Sequence, residues 1–365
     1  MKTLGYATQT ADAPLGPFAI ERRALRPNDV AMEVLYCGVC HTDLHQARND
    51  WGWSMYPLVP GHEIIGRVIE VGSKVTRYKV GDAVAVGCMV DSCQHCDQCR
   101  KGEEQLCREG NTQTYNDRDR ITKDVTYGGY SKHLVVREEF ALRVPDGLDL
   151  AQAAPLLCAG ITTYSPLRTW NIGPGGRVGV IGLGGLGHMA VKLAVAMGAN
   201  VTVMSRTNDK KAKALALGAD RFLASTDAEA MAKAQSGFEL IIDTVPVKHD
   251  VNSYIPLLDV DGTLVIVGQI GLLADHDPLC HGTPPPGGIA DRRHCANPGA
   301  ARLLRAKEHP ARLQDDPNGP DQRRVRATGT RRRYPLPLRD RHGFFEGLIG
   351  KPSGRENTMR SNHCP

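Results

Sequence analysis

The chain has 365 residues, 41% of them hydrophobic, and a formal net charge of +5; that length exceeds one usual domain and predicts two. No apolar run is long enough to span a bilayer, which argues against a membrane partner. The positive balance belongs to one end: residues 1–271 hold 28 Lys and Arg against 30 Asp and Glu, whereas residues 272–365 hold 17 against 10. The body therefore gives no electrostatic reason to expect nucleic acid.

The start, MKTLGYATQT, shows no apolar signal segment, which predicts a reducing compartment, the cytoplasm. From there to about residue 150 the pattern reads as all-β with many turns. Short stretches such as VAMEVLYC (30–37), IIGRVIEVG (64–72), DAVAVG (82–87) and SKHLVV (131–136) are bounded by Gly, Pro, Asn or Asp. Within it, GVCHTDLH (38–45) and GHE (61–63) precede DSCQHCDQCRKGEEQLC, and LLCAG (156–160) follows the domain.

Cys93, Cys96, Cys99 and Cys107 form C-x2-C-x2-C-x7-C. Four thiolates that close together can complete a tetrahedral shell around one Zn²⁺, as in structural zinc sites. A disulfide framework fits poorly with a reducing compartment, and a zinc knuckle in a nucleic-acid binder fits these four residues taken alone. Cys40, His62 and Cys158 are far apart, and spacing does not pair them. Two Cys and one His are a known catalytic zinc set with one position left open, but singly His62 also reads as a core or surface histidine and Cys158 as packing.

After residue 150 the rhythm changes. RVGVIG (177–182), VTVMS (201–205), ELIIDT (239–244) and TLVIVG (263–268) are buried-strand runs, and HMAVKLAVAMGA (188–199) and Lys210–Leu217 have helical spacing. Strands alternating with helices imply parallel βαβ units. The turn GLGGLG places Gly182, Gly184 and Gly187 as G-x-G-x-x-G between strand and helix, with Gly185 beside them. Glycines there let the backbone approach a pyrophosphate seated on the helix N-terminus. At the end of the second strand, where an acidic residue would hold the ribose 2′-hydroxyl of NAD, the chain has Ser205, Arg206 and Thr207, with Lys210 and Lys211 behind. Hydroxyls and cations suit a 2′-phosphate, so the sequence predicts NADP(H). A solvated basic helix start would leave the preference open.

GVCHTD, PGHE, the four-cysteine run, LLCAGITTYSPL and VGVIGLGGLGHMAVKLA, in this order over residues 1–271, resemble the zinc-dependent medium-chain alcohol dehydrogenases, above all the cinnamyl-alcohol-dehydrogenase-like aldehyde reductases. The resemblance implies an α/β protein with a GroES-like catalytic domain (1–150) and a Rossmann-type doubly wound parallel sheet (151–271). It implies two zinc ions per chain, one structural and one held by Cys40, His62 and Cys158, with Glu63 an occasional ligand. Thr42 and His45 would relay a proton, and Asp43 would orient His62. Thr162, Leu183, Val245 and Gly268 would touch the cofactor, and Trp51 and Trp53 would line the substrate pocket. The reaction implied is hydride transfer between NADP(H) and an aldehyde or primary alcohol, in a homodimer.

Beyond residue 271 the resemblance stops. The segment 272–365 holds 12 of the 23 prolines and shows no helical or strand period, which predicts an aberrant, disordered tail and a truncated cofactor sheet. Codons that encode HGTPPPGGIADRRHC (281–295) give, one base later, MGRRRLAGSLIGGI, close to what the family carries there. Codons for Tyr334–His342 similarly yield RYRFVIDM. A frameshift between Gly268 and Cys280 is the expectation. It leaves a second functional reading, a zinc-binding remnant without turnover, and puts the dimer in doubt. Nucleic-acid binding by the basic tail is poor, since its cations are scattered among prolines. Cys37 and Cys88 receive no role.

Overall fold

The structure, a computed structural model, describes residues 1–268 and the short segment Arg302–Arg305. The chain opens with a hairpin, β1 (Lys2–Ala7) against β2 (Gly16–Glu21). Then come β3 (Asp29–Cys37), helix α1 (His41–Ala47), β4 (Ile64–Val71) and β5 (Ala83–Val86). The lobe that follows contains β6 (Met89–Asp91), α2 (Asp97–Arg100) and β7 (Thr112–Gln113), and the chain returns through β8 (His133–Arg137) and β9 (Leu142–Arg143). Five of these strands form an antiparallel sheet in the order β8-β3-β4-β5-β9. Side chains alternate across a strand. Val30 and Met32 of β3, Ile64 and Val68 of β4, Val84 and Val86 of β5, and Leu134 and Val136 of β8 therefore share one buried cluster. Each such aliphatic side chain contributes about 1.5–3 kcal/mol on burial.

Helices α3 (Leu150–Ala153) and α4 (Ala159–Thr169) lead into the second layer system. It comprises β10 (Arg177–Ile181), α5 (Gly185–Ala196), β11 (Asn200–Ser205), α6 (Lys211–Ala216), β12 (Arg221–Ala224), α7 (Ala228–Lys233), β13 (Phe238–Asp243) and β14 (Leu258–Ile266). The strand order is β12-β11-β10-β13-β14, all parallel, so the winding direction reverses between β10 and β13. The near-continuous apolar runs are explained by burial on both faces. Val178, Val180, Val201, Val203, Leu240 and Ile242 enter one cluster together with Ala190, Val191 and Ala194 of α5. Ile181, Met204, Ile241, Leu264 and Ile266 enter the cluster on the other face.

Two expectations need correction, and one helix forms against its propensity. The first 143 residues are not all β: α1 interrupts them, seven residues long and too short to show a period. α4 forms despite Pro166 and the β-branched pair Thr162 and Thr163, with Leu167 fully buried against the α5 side of the sheet; packing overrides propensity there. The tail was expected to hold no strand, yet β15 (Arg302–Arg305) pairs antiparallel with β14 at the sheet's edge. The remaining expectations for 272–365 lie outside the described residues.

Candidate active site

The end of β3 and the start of β4 bring three potential metal donors together. Cys40 is the N-cap of α1, and His62 and Glu63 immediately precede β4. Cys158 arrives from the turn before α4. The donor atoms of Cys40, His62, Glu63 and Cys158 all lie within 4.8 Å of one another. The sulfurs of Cys40 and Cys158 are 3.7 Å apart. Two thiolates about 2.3 Å from one zinc at a tetrahedral angle stand about 3.8 Å apart, so the spacing suits a shared ion.

His62 is 3% exposed, and its Nε2 is buried without a well-formed hydrogen bond. Its Nδ1 lies 3.5 Å from Asp43 Oδ1. Its ring stacks on Tyr115 at 5.7 Å and 10°, fixing the plane. Asp43 is fixed in turn: it accepts the amides of Cys40 and Gly61, each at 2.9 Å, and the Tyr130 hydroxyl at 3.4 Å. Asp43 is the third residue of α1, so one carboxylate caps the helix, ties down a ligand's backbone and faces the imidazole. Gly61 permits this closeness: at φ +105°, a Cβ there would sit 2.6 Å from the Tyr130 ring. Burial pushes the Glu63 carboxyl up to about 7, with His62 pulling the other way. Two thiols, an imidazole with an open buried nitrogen and a nearby carboxyl are a fitting donor set for Zn²⁺.

Thr42 and His45 lie on α1, three residues apart and so on neighbouring positions of one face. His45 is sandwiched between His41 and Trp51, both ring pairs at 5.2 Å, and Trp51 stacks on Trp53 at 5.4 Å. Its Nδ1 is 2.7 Å from Asp50 Oδ2, while Nε2 is buried and unpartnered. A carboxylate on Nδ1 fixes the tautomer with Nε2 free. A cavity of about 730 Å³ lies between the β1–β2 loop and α1, lined by Leu15, Val39, Leu44, Tyr130, Asp43 and Asp50 among others and by none of the four donors.

The second sulfur cluster is local. The sulfurs of Cys93, Cys96, Cys99 and Cys107 all lie within 4.8 Å of one another, Cys93 and Cys99 at 3.8 Å. Amides point at them: Cys96 N to Cys93 Sγ at 3.3 Å, Cys99 N to Cys96 Sγ at 3.4 Å, and Arg108 N to the same sulfur at 3.5 Å. The Arg108 and Cys99 amides bring the Cys96 thiol down to about 6, so it is ready to bind as thiolate. This set also fits Zn²⁺, with no position left open.

The third set lines the crevice above β10 and β13, where the winding reverses and open α/β sheets bind ligands. Gly182 takes φ +86°, and a Cβ at Gly187 would lie 2.3 Å from the Gly182 carbonyl oxygen, so only glycine lets α5 approach the strand. A Cβ on Gly184 or Gly185 would meet nothing within 4 Å, which leaves room above the helix start. Val245 and Gly268 face each other across the far wall, with the Val245 carbonyl oxygen 2.2 Å from where a Gly268 Cβ would stand. Thr162 lies on α4, its amide bonded to Cys158 O. Ser205 is half-buried at the end of β11, and Arg206 and Lys210 are exposed beside it. Leu183 differs from the others: its side chain is buried in the core, so towards the crevice it offers backbone only. Tyr115, Asp50 and a pair of buried Asp243 with half-buried His249 were not found by sequence reasoning. The first two join the donors only in three dimensions; the third had a signal, an acidic residue closing a buried strand.

Two family profiles match, "Alcohol dehydrogenase GroES-like domain" over residues 26–146 and "Zinc-binding dehydrogenase" over residues 185–279. The chain is 54% identical over 264 residues to NADP-dependent alcohol dehydrogenase C 1 of Mycolicibacterium smegmatis, covering 72% of this chain and 75% of the relative. It is 49% identical over 269 residues to the aldehyde reductase YahK of Escherichia coli, covering 73% and 77%. Among solved structures, a cinnamyl alcohol dehydrogenase from Sorghum bicolor superposes with a TM-score of 0.71 at 46% identity, covering 73% of this chain and 76% of the other. These likenesses favour an oxidoreductase over a remnant without turnover.

Proposed function

The chain belongs to the zinc-binding alcohol dehydrogenase family, and on that premise we propose that it transfers hydride between NADP(H) and an aldehyde or primary alcohol at a zinc held by Cys40, His62 and Cys158. The division of labour proposed is a catalytic unit to about residue 150 and a cofactor unit after it. The observation that carries the site is the 3.7 Å sulfur pair with the open His62 Nε2 beside it. Zinc bound there supplies Lewis acidity to a carbonyl oxygen.

The chain's own groups do the rest. Asp43 holds His62 in orientation through Nδ1, leaving Nε2 for the metal. Glu63, held neutral more readily by burial, stands by as an alternative oxygen donor. Thr42 lies at the substrate end of the relay and His45 at the outer end, with Asp50 fixing the tautomer so that His45 Nε2 is the nitrogen that takes up or gives up the proton. The flat faces of Trp51 and Trp53 offer an apolar wall to the substrate's body. The crevice glycines leave backbone amides for the pyrophosphate, and Ser205, Arg206 and Lys210 receive the 2′-phosphate. The closed set Cys93, Cys96, Cys99 and Cys107 holds a second, structural zinc. The compartment proposed is the cytoplasm, and the assembly a homodimer.

The test is metal analysis and turnover on the same preparation. Zinc-loaded protein should carry two zinc ions per chain and oxidise NADPH in the presence of a benzaldehyde-type substrate. A fully loaded protein that leaves NADPH untouched with every aldehyde offered would sink the activity.

A further inference from the structure

Asp243 closes β13 with no exposed surface, yet it takes no part in the chemistry above. Its Oδ1 accepts the Val245 amide at 3.1 Å, and its backbone oxygen accepts the amides of Val267 and Gly268 at 2.9 and 3.2 Å. Its Oδ2 lies 3.0 Å from His249 Nε2, and neither of these buried atoms has an aligned hydrogen bond elsewhere. On the other side of the ring, His249 Nδ1 is 2.9 Å from the carbonyl oxygen of Val247.

These contacts limit the protonation state to two arrangements. A carbonyl oxygen only accepts, so Nδ1 carries a hydrogen. Oδ2 and Nε2 at 3.0 Å hold one hydrogen between them, given by the ring to a carboxylate or by a carboxyl to the ring. In either case the run from Asp243 to His249 closes on itself through this contact, and the charged form makes it an ion pair. What that run carries is one wall of the crevice. A Cβ on Gly182 would stand 3.0 Å from both Thr244 Oγ1 and Val245 Cγ2, so this loop packs directly on the glycine turn.

We propose that Asp243 and His249 are positioning residues for the nicotinamide cofactor: their ion pair holds Thr244–Val247 against the glycine turn, so the crevice is shaped before the cofactor arrives. This rests on the cofactor assignment above. Preorganisation of a loop reduces the ordering cost of binding. The groups facing His249 are Asp243 from β13, Asp250 from its own loop and the Tyr254 ring, edge-on at 6.4 Å, from the turn Asn252–Leu257. Contact with Asp243 raises the His249 pKa above its ordinary value, with burial opposing. For a base raised in this way, the stabilisation is complete below the ordinary imidazole range and is lost as pH rises through the raised value. Cofactor affinity should fall in the same direction.

Equilibrium titration of the zinc-loaded full chain with NADPH, followed by cofactor fluorescence from about pH 6 to about pH 9, tests this across the histidine range. In the unmodified chain the Kd should weaken about tenfold from the acidic to the alkaline end, within the usual range of coupling between sites. His249→Gln should bind weakly at every pH and show no such slope. His249→Arg, which keeps a permanent charge, should bind tightly throughout and so guards against a loss caused only by misfolding. The proposal is overturned if His249→Gln keeps both the affinity and the slope of the unmodified chain. It is equally overturned if that variant lowers thermal stability while leaving the Kd unchanged, since the pair would then be merely structural. An unmodified chain that holds its zinc but binds no NADPH at any pH defeats the cofactor assignment itself, and this proposal with it.

Discussion

The two sulfur-rich sites use the same chemistry in opposite ways. Cys93, Cys96, Cys99 and Cys107 are contained in one short lobe, two of them half-buried, with backbone amides pointing at the sulfurs. Cys40, His62 and Cys158 come from three places, and the donors are held by groups that are themselves buried: Asp43, Tyr115 and the Gly61 backbone. A closed four-sulfur shell can only stabilise, whereas three donors beside a crevice leave a place for a reacting oxygen. Local assembly gives strength cheaply; distant assembly is what permits catalysis.

The sharpest way to break that contrast is to remove one sulfur from each. Cys158→Ala should reduce zinc from two to one per chain and lower turnover by about a thousandfold or more, the several kcal/mol that a Lewis acid supplies. The fold should survive, because the lobe keeps its ion. Cys99→Ala should also leave one zinc, but with a large fall in melting temperature, since metal binding and folding are one process in such lobes. Metal content, turnover and melting temperature measured on both proteins check this. Equal thermal losses would erase the distinction.

A smaller effect tests the support beneath the catalytic donors. Asp43→Asn keeps the size, but its single oxygen can accept only one of the Cys40 and Gly61 amides, and it loses the charge facing His62. A partner of this kind typically accounts for about 10–100-fold in metal affinity or activity. Competition with a chelator should show faster zinc loss from the catalytic set alone. Smaller again is the cofactor change: Arg206→Asp puts a carboxylate where a 2′-phosphate is expected, so the ratio of kcat/KM for NADPH over NADH should fall by about tenfold or more. An unchanged ratio would remove Arg206 from that role.

How much was legible follows from the same contrast. The cysteine run was legible because all four donors lie within fifteen positions, and the glycine turn because strand, turn and helix are contiguous. The strands of the cofactor sheet were legible because burial on both faces makes them uniformly apolar. Cys40, His62 and Cys158 were not paired by spacing at all; the family resemblance joined them, and the structure shows why spacing fails, since the chain builds β4, β5, β8 and β9 between His62 and Cys158. Helix α1 was missed because seven residues hold fewer than two full turns and its N-cap is a cysteine, which is not among the usual capping residues. The stacking of Tyr115 on His62 had no sequence signal whatever.

The smallest expected effect asks whether the four-cysteine lobe is as self-contained as it looks. Asp119, in the loop following that lobe, accepts Arg26 Nη2 at 2.6 Å and lies 3.3 Å from Arg23 Nε, tying the loop to the β2–β3 connection. Its Oδ1 also accepts the amides of Ile121 and Thr122 at 2.8 and 2.9 Å. Burial pulls this carboxyl up, but Arg26 and the two amides outweigh it and hold the group at about 2. A depressed carboxyl contributes stability that is present above the ordinary carboxylate pKa and is lost as pH falls towards the depressed value. Discounted for solvent screening, the contribution is about 1 kcal/mol. Asp119→Asn should therefore lower the denaturant midpoint modestly at neutral pH, with the gap to the unmodified chain closing as pH approaches 2. If the tie matters to the lobe, a chelator should also strip its zinc faster from the variant at neutral pH, while the catalytic zinc leaves at an unchanged rate. Release of lobe zinc at the unmodified rate would mean that the four cysteines hold their ion without help from the rest of the fold.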